Sequence, residues 1–306
     1  MSSPITILIA GCGYVGQALA RAAQAQGFAV MGITRSVDSA AALSNGGIPC
    51  TAADLSEVSS LALVAQQLAG RDVRIVHCAA GGKGGGPDAY RKVYLEGLQH
   101  LLMAFPAASR VLFTSSSSVY PQIDGSVVTE TSAAAPERGT GLVLRETENI
   151  TRNACGCVLR LAGIYGPGRS VLLRNFLDGT STVDVRTEAP ATPDGRWVNQ
   201  IHRDDAAAAM LHLLTSLPGS AFHGALFNAA DSCPMLQRTL YTALSERFAL
   251  PMPPDALPDF GRKRGWTNKR VSNAALLAAG WSPRFPSWLD ALDYYGTALA
   301  AVRDSN

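Results

Sequence analysis

The sequence is poor in charge: Asp, Glu, Lys and Arg supply 16% of its 306 residues, against about 25% in an average domain. Its 26 basic and 24 acidic side chains leave a formal net charge of +2. Such a small net charge gives no strong attraction to nucleic acid or to an anionic membrane. Because 47% of the residues are hydrophobic, the chain also lacks the composition of a disordered protein. We therefore expect a soluble globular protein.

Long apolar runs and regularly spaced cysteines are missing as well. No stretch of about 18 uncharged apolar residues occurs, so no membrane-spanning helix is expected. The first ten residues lack the basic start of a signal peptide and are typical of a strand instead. The six cysteines are scattered, and the spacing of Cys155 and Cys157 does not match a zinc site. We expect reduced thiols, no bound metal and a cytoplasmic location.

Strand patterns alternate with helix patterns through the first half of the chain. Apolar runs predict strands at 5–10, 28–33, 48–53, 73–78, 110–115 and 157–162. Strands that are buried on both faces have continuous apolar sequences, so the alternation predicts a doubly wound parallel sheet of the α/β class. After Gly168 the alternation stops. We therefore predict a dinucleotide-binding domain at 1–168 with 201–225, and a smaller substrate-binding lobe at 169–200 with 226–306.

A glycine-rich turn follows the first strand and opens a helix. Its residues fit the pattern G-x-G-x-x-G and are Gly11, Cys12, Gly13, Tyr14, Val15 and Gly16. In such a turn the first glycine permits a tight bend, the second lets a pyrophosphate approach the backbone, and the third allows close packing of helix on strand. The helix N-terminus then presents N–H groups to the phosphates. The turn predicts a dinucleotide site; a glycine-rich turn without a ligand is the alternative.

The end of the second strand bears on the choice of cofactor. An acidic residue at this place would bind the ribose 2′-hydroxyl of NAD, but the sequence has Thr34, Arg35 and Ser36. A guanidinium with neighbouring hydroxyls suits the 2′-phosphate of NADP. We therefore predict NADP in preference to NAD. Two alternatives stay open: Arg35 as an ordinary solvated side chain, and Asp38 as a partner for the ribose of NAD.

Several segments occur in the order typical of one protein family. They are Gly11–Gly16, Asp54-Leu55, Val76–Ala80, Thr114–Tyr120, Arg160–Gly168, Asn199–Asp205 and Lys269–Asn273. On these segments the chain resembles the extended short-chain dehydrogenases/reductases of the NAD-dependent epimerase/dehydratase group. The resemblance implies a Rossmann-type sheet with a smaller C-terminal substrate lobe. It also implies further cofactor contacts at Asp54, Leu55, Cys78, Ala79, Ala80, Leu161 and Ala162, and substrate contacts at Gly163 and His202.

The catalytic residues that this resemblance implies are incomplete. The family uses a serine or threonine, an upstream asparagine, and a Tyr-x-x-x-Lys pair whose tyrosine is the general acid/base. Ser116 stands at the serine position, whereas Tyr94, Thr140 and Leu144 stand where the Asn, Tyr and Lys are expected. Tyr120 is a candidate acid/base, with packing as the alternative. For His202, the alternative to a substrate contact is a structural role as a hydrogen-bonded histidine.

Basic side chains elsewhere are candidates for contacting an anionic substrate or replacing the missing lysine. Arg145 lies one residue past the lysine position, although an arginine hardly releases a proton. Lys83 lies in a glycine-rich loop after the fourth strand, and Arg262–Arg264 is a basic cluster near the C-terminal tryptophans. The alternative for Lys83 is a mobile glycine loop without a ligand, and the alternative for the basic cluster is a solvated face.

The sequence as a whole favours an NADP(H)-dependent oxidoreductase or an epimerase/dehydratase-like enzyme. Its substrate would be a small carbonyl, hydroxyl or nucleotide-sugar-like molecule held near Ser116. The alternative is a catalytically inactive protein that senses NADP(H) or acts as a scaffold, which the missing Tyr and Lys favour. RNA binding has little electrostatic support at a net charge of +2. The resemblance also implies a homodimer through the helices at about 88–105 and 142–153.

Overall fold

The computed structural model describes residues 4–81, 86–137, 139–261 and 266–300. The predicted anion contacts at Lys83 and Arg262–Arg264 lie outside these described residues. Within the described ranges, no helix is both long enough and apolar enough to cross a membrane.

Strands and helices alternate through the first half of the chain, as predicted. The strands are β1 (Ile5–Ala10), β2 (Ala29–Thr34), β3 (Cys50–Ala52), β4 (Asp72–His77), β5 (Arg110–Ser116), β6 (Val127–Val128), β7 (Cys157–Leu161), β8 (Gly163–Tyr165), β9 (Val183–Asp184), β10 (Trp197–Val198), β11 (Gln200–His202), β12 (Leu226–Ala229), β13 (Met235–Leu236), β14 (Asp255–Ala256) and β15 (Arg270–Val271). The helices are α1 (Tyr14–Ala25), α2 (Val37–Asn45), α3 (Val58–Gln67), α4 (Pro87–Tyr90), α5 (Gly97–Ala104), α6 (Gly139–Asn153), α7 (Val171–Leu177), α8 (Arg203–Thr215), α9 (Gly219–Phe222), α10 (Gln237–Phe248), α11 (Ala274–Ala278) and α12 (Trp288–Tyr295). A π-helical segment, Arg91–Glu96, links α4 to α5, and short 3-10 turns lie at Ser117–Val119 and Gly296–Leu299.

A seven-stranded sheet in the order β12-β7-β5-β4-β1-β2-β3 forms the centre of the fold. The neighbouring pairs β1–β2, β1–β4, β2–β3 and β4–β5 are parallel. The order reverses beside β1, as it does in doubly wound sheets, whose ligands bind beyond the carboxyl ends of the strands. The predicted Rossmann-type α/β class is therefore confirmed.

The first strand and its helix illustrate why these residues form these elements. The four residues Ile7 to Ala10 are completely buried, because β1 lies between two neighbouring strands and is covered on both faces. Helix α1 buries Leu19, Ala20 and Ala23 along one side, which is the 3.6-residue periodicity of an amphipathic helix. A continuous apolar run followed by a one-sided apolar pattern thus gives a strand and then a helix.

The chain divides into two compact units. The first contains residues 1–116, 139–160 and 206–227, and the second contains 117–138, 161–205 and 228–306. The first unit has an apolar core that includes Leu8, Ile75 and Leu101. The second has its own core, which includes Phe176, Leu240 and Trp288.

These units differ from the predicted ranges at four segments. Residues 117–138, 161–168 and 201–205 belong to the second unit rather than to the dinucleotide domain, whereas residues 226–227, which begin β12 of the seven-stranded sheet, belong to the first unit. Short strand pairs account for the difference: β6 pairs with β15, and β8 pairs with β11. Two-residue and three-residue strands of this kind have little sequence signal, so their pairing is not apparent from periodicity.

Candidate functional site

The glycine turn is packed so tightly at two of its positions that only glycine fits. Gly11 has a φ of +101°, and a Cβ there would lie 2.3 Å from the backbone of Ala79. A Cβ at Gly16 would lie 2.5 Å from the carbonyl oxygen of Gly11. The turn is also tied to the second strand, because the N–H of Cys12 donates to the Ile33 carbonyl at 2.9 Å. The first and third glycines therefore serve the bend and the close packing that the motif requires.

Gly13 has the opposite environment, since a Cβ there would meet nothing within 4 Å. It is the N-cap residue of α1 and supplies no side-chain hydrogen bond to the helix. No acidic residue stands in the first turn of this 12-residue helix, so its positive end is not offset by a carboxylate there. Tyr14 and Val15 follow, both half-buried. Open space above a helix N-terminus is the environment that a phosphate group requires.

The segment after β4 lies directly against this turn. The Cys78 N–H donates to the Ala10 carbonyl at 2.9 Å, and the Cys78 thiol donates to the Gly11 carbonyl at 3.2 Å. Burial raises the pKa of this thiol to about 12, so it stays protonated. Ala79 touches Gly11, and Ala80 is exposed. The structure thus brings the predicted cofactor residues of two strands together.

Predicted cofactor residues also stand at the ends of β2 and β3. Arg35 is exposed, and its charge contributes to a lowered pKa at Asp54, whose main cause is hydrogen bonding from Ser56. Ser56 donates to the Asp54 carboxylate from both its N–H, at 2.9 Å, and its hydroxyl, at 2.8 Å. Leu55 is buried. The guanidinium is therefore available at the surface, while Asp54 is held by its own turn.

The hydroxyl residues beside Arg35 have structural roles of their own. Ser36 caps helix α2, and its hydroxyl accepts a hydrogen bond from the Ser39 N–H at 3.2 Å. The Thr34 hydroxyl donates to the Ser36 carbonyl at 3.3 Å. Asp38 lies in the first turn of α2, where its negative charge interacts favourably with the helix dipole. These contacts place Arg35 at a fixed bend between β2 and α2.

The residues predicted at the catalytic serine position and at the tyrosine and lysine positions lie in the first unit. Ser116 is the last residue of β5 and is half-buried. Thr140 and Leu144 lie in α6; Thr140 is half-buried, and Leu144 is 5% exposed and belongs to the core. A buried leucine offers neither a charge nor a proton at the position where the resemblance predicts a lysine.

A buried ion-pair network occupies the same helix. Glu148 is fully buried and accepts two hydrogen bonds from the Arg160 guanidinium, at 2.9 and 2.6 Å. The Ser115 hydroxyl donates to the same carboxylate at 2.6 Å, and Arg145 completes the network through a further ion pair. Arg145 is thus engaged with Glu148. The sequence analysis did not predict this network. The alternation of side chains along a strand was the available signal, because it places Ser115 and Ser116 on opposite faces of β5.

Tyr94, at the family's asparagine position, lies in the π-helical segment. Its ring stacks on His77 with centroids 6.2 Å apart and meets the edge of Phe113 at 6.0 Å. The ring of Tyr90 lies 5.0 Å away. This aromatic cluster favours packing as the role of Tyr94.

Tyr120 lies in the second unit and is completely buried. Its hydroxyl stands 2.9 Å from both the Thr129 carbonyl and the Asn228 side-chain oxygen. The Lys269 ammonium donates to the Tyr120 carbonyl at 2.7 Å. Burial lowers the pKa of Lys269 to about 7, a perturbation that sequence reasoning did not anticipate. These contacts favour the packing alternative for Tyr120, whose role as an acid/base stays a prediction.

The predicted substrate contacts also belong to the second unit. His202 is fully buried, with ring centroids of Phe285 and Tyr295 at 4.6 and 5.4 Å. Burial lowers its pKa to about 4, so the imidazole is neutral at pH 7. Its Nδ1 accepts a hydrogen bond from the Asp204 N–H at 3.2 Å. This arrangement favours the structural alternative, and a substrate contact through His202 stays a prediction.

The remaining predicted contacts follow β7. Leu161 and Ala162 are buried, and the Ala162 N–H donates to the Ala229 carbonyl at 2.9 Å. Gly163 begins β8, and a Cβ there would lie 3.0 Å from the Gln200 side chain. Among the described residues, no group of three or more His, Cys, Asp or Glu side chains is arranged to hold a metal ion.

Comparison with known proteins agrees with this geometry. The model of the NAD dependent epimerase/dehydratase family matches residues 7–223. The chain is 28% identical to protein YeeZ of Escherichia coli K12 over 261 residues, which cover 81% of this chain and 85% of that protein. It is 27% identical to a 3-diazoavenalumate denitrifying reductase of Streptomyces over 224 residues, or 67% and 73% of the two chains. A solved structure from Methylobacillus flagellatus, inferred to be an NAD-dependent epimerase/dehydratase, superposes with a TM-score of 0.72 at 30% identity and covers 98% of each chain.

Proposed function

Because this chain belongs to the NAD-dependent epimerase/dehydratase family, we propose that it binds NADP(H) and acts as an oxidoreductase or epimerase-like enzyme. Its substrate is a small carbonyl or hydroxyl compound, or a nucleotide-sugar-like molecule. The observation that carries the proposal is the open space at Gly13, where a Cβ would meet nothing within 4 Å. The contrast with the crowded Gly11 and Gly16 supports a turn built to receive a pyrophosphate.

The preference for NADP rests on Arg35. Its exposed guanidinium stands at the end of β2, where a charge-assisted bond to a 2′-phosphate is available. No acidic residue precedes Asp38 on this segment, and Asp38 itself lies in the first turn of α2. NAD stays the second cofactor that this segment can serve.

Nicotinamide bound here would supply hydride transfer to or from a carbinol or carbonyl carbon. The residues of the glycine turn and the Cys78–Ala80 segment bind and orient the dinucleotide, and Ser116 positions the substrate oxygen with its hydroxyl. Thr140 and Leu144 cannot move the proton as a tyrosine–lysine pair does. Proton transfer then requires another group or a water molecule. Reductive chemistry has a precedent in the Streptomyces relative, whose name describes a reductase.

The alternative is an NADP(H)-sensing or scaffold protein without catalysis. The burial of Leu144 and the structural engagement of Glu148 by Arg160 and Ser115 favour it. These features leave the dinucleotide site intact and remove only the means of proton transfer.

We also propose a homodimer through the helices at 87–104 and 139–153. The side chains of Met103 and Leu142 on these helices are 59% and 55% exposed, which offers apolar surface to a second copy. Sedimentation analysis of the wild type and of Leu142→Glu tests this assembly. A dimer that Leu142→Glu converts to a monomer is expected, and a wild-type monomer at all concentrations would contradict it.

The enzyme proposal is tested with a panel of aldehydes, ketones and nucleotide sugars. NADPH oxidation is followed by absorbance, and epimerisation of the sugars is followed by NMR. Turnover of at least one compound is expected, and Ser116→Ala should lower kcat by about 100-fold, as for the loss of a hydrogen bond made in the transition state. Ser118→Ala is the matched control. Tight NADPH binding without any turnover would favour the sensor alternative.

A further inference from the structure

The thiols of Cys12 and Cys50 lie on either side of Gly32, near one edge of the seven-stranded sheet. A Cβ on Gly32 in β2 would lie 3.0 Å from the Cys12 sulfur and 3.0 Å from the Cys50 sulfur. The two sulfurs are therefore separated by at most twice that distance. Any side chain at residue 32 would fill the space between them, so the glycine is what allows the thiols to approach.

The backbone fixes both cysteines in this position. Cys50 is the register partner of Gly32 in the β2–β3 pair, and the Gly32 N–H donates to the Pro49 carbonyl at 2.8 Å. On the other side, the Cys12 N–H donates to the carbonyl of Ile33, the residue after Gly32, at 2.9 Å. Backbone hydrogen bonds to β2 thus hold both cysteines in place.

One of the two cysteine residues is partly exposed. A surface pocket of about 470 Å³ opens beside β3, and its lining includes Met31, Pro49, Cys50 and Gln67. Cys50 is half-buried, whereas Cys12 is 2% exposed. Cys50 is therefore the more exposed residue of the pair, and Cys12 is the buried one.

We propose that Cys12 and Cys50 form a reversible disulfide whose oxidant is a peroxide. The Cys50 sulfur attacks hydrogen peroxide, which breaks the O–O bond and gives a sulfenic acid and one water. The Cys12 sulfur then attacks the sulfenic sulfur, and the hydroxyl leaves with the thiol proton as a second water. Two thiols and one peroxide thus become one disulfide and two waters, and a dithiol such as dithiothreitol reverses the step.

Burial of the pair makes this oxidation slow, because it disfavours the reactive thiolate forms. Burial raises the pKa of Cys12 to about 12, and the neighbouring Cys50 adds to that shift. The pKa of Cys50 is also raised by burial, but hydrogen bonds from Thr34 and Thr51 favour its thiolate. Cys50 is accordingly the better initial nucleophile.

The consequence for cofactor binding rests on the proposed function. Cys12 stands between Gly11 and Gly13 in the turn assigned to the pyrophosphate. Bonding its sulfur to Cys50 fixes the Cys12 side chain toward β3 and constrains the backbone that must face the phosphates. Oxidation should therefore weaken dinucleotide binding, and bound dinucleotide should slow the oxidation.

The disulfide is tested in a background that carries Cys155→Ser and Cys233→Ser, because those two thiols are exposed. After peroxide treatment, the thiols are counted in denaturant and the linked peptides are identified by mass spectrometry without reduction. We expect a loss of two thiols per chain and a Cys12–Cys50 peptide. Adding Cys50→Ser should abolish the linkage, whereas adding Cys157→Ser should leave it unchanged. No disulfide, or a Cys12–Cys78 linkage, would overturn the proposal.

A second measurement separates this proposal from the proposed function. NADPH affinity should fall by about tenfold or more in the oxidised protein, recover with dithiothreitol, and stay unchanged by peroxide in Cys50→Ser. If the disulfide forms and affinity does not change, the effect on binding is wrong. If the reduced protein binds no dinucleotide, the proposed function fails while the disulfide mapping still stands.

Discussion

The glycine turn and the first half of helix α6 correspond to two parts of the family's site, and this chain equips them very differently. At the turn, Gly11 and Gly16 are held at contact distance, and the space over Gly13 is open. In α6, the residues that the resemblance places at the tyrosine and lysine positions are the half-buried Thr140 and the buried Leu144. The first region has its three glycines in the geometry that a dinucleotide turn requires, and the second has neither a tyrosine nor a lysine at the residues where the resemblance places them.

Dinucleotide binding and proton transfer therefore depend on separate kinds of residues. Dinucleotide binding relies on backbone geometry and on the absence of side chains, which glycines supply. Proton transfer relies on a titratable side chain near the reacting atom. A chain can lose the second while the first stays intact, and its charged groups on α6 then serve the fold. Four substitutions test this separation.

The largest effect is expected on stability, at Glu148. Glu148→Gln leaves the Arg160 guanidinium buried without its counter-charge, which should lower the free energy of unfolding by about 3–5 kcal/mol. NADPH affinity of the folded protein should not change. Urea unfolding and calorimetric titration measure the two quantities. Glu146→Gln is the matched control on the same helix, because its ion pair with Arg91 is exposed and should contribute at most about 1 kcal/mol.

Gly13→Val should lower dinucleotide affinity by about a hundredfold or more, because the side chain fills the space that the pyrophosphate contacts would use. The fold should be retained, since nothing lies within 4 Å of the new Cβ. Ala25→Val, at an exposed position of the same helix, adds similar bulk away from the turn. Calorimetric titration and thermal unfolding distinguish lost binding from lost structure. Tight binding by Gly13→Val would remove the assignment of this turn.

Arg35→Ala sharpens the cofactor assignment within the intact region. It should weaken NADPH binding by about 1–3 kcal/mol, the contribution of a hydrogen bond to a charged group, and leave NADH binding nearly unchanged. Arg21→Ala, at an exposed position of α1, is the matched control for the loss of one positive charge. An equal loss for both cofactors would mean that Arg35 does not recognise the 2′-phosphate.

The smallest effect is expected at Tyr120. Tyr120→Phe removes a buried hydroxyl that contacts the Thr129 carbonyl and Asn228, and this should cost about 1 kcal/mol of stability. If Tyr120 packs as the structure favours, kcat should change by no more than about twofold. A general acid/base would instead lose about 100-fold or more. Steady-state kinetics on any substrate from the panel separates the two roles.

The sequence predicted the sheet well because its signals are local. The apolar run at Ile5–Ala10 and the glycines that follow it determine a strand, a turn and a helix within 25 residues. The G-x-G-x-x-G spacing likewise predicted a turn whose close approach to Ala79 the structure shows.

Long-range pairings were not predictable in the same way. Glu148 meets Ser115 and Arg160 only because β5, β7 and α6 pack together. Lys269 reaches the Tyr120 carbonyl across 149 residues of sequence. The approach of Cys12 to Cys50 depends on the register of Gly32. None of these contacts has a periodic signal, so each requires the three-dimensional structure.

We propose that this chain binds a nicotinamide dinucleotide at the glycine turn and prefers the one that carries a 2′-phosphate. Calorimetric titration of the reduced wild-type protein with NADPH and with NADH tests it most directly. We expect micromolar binding of NADPH and weaker binding of NADH. Binding of neither nucleotide at millimolar concentration would contradict the claim, and tighter binding of NADH would overturn the assignment of Arg35.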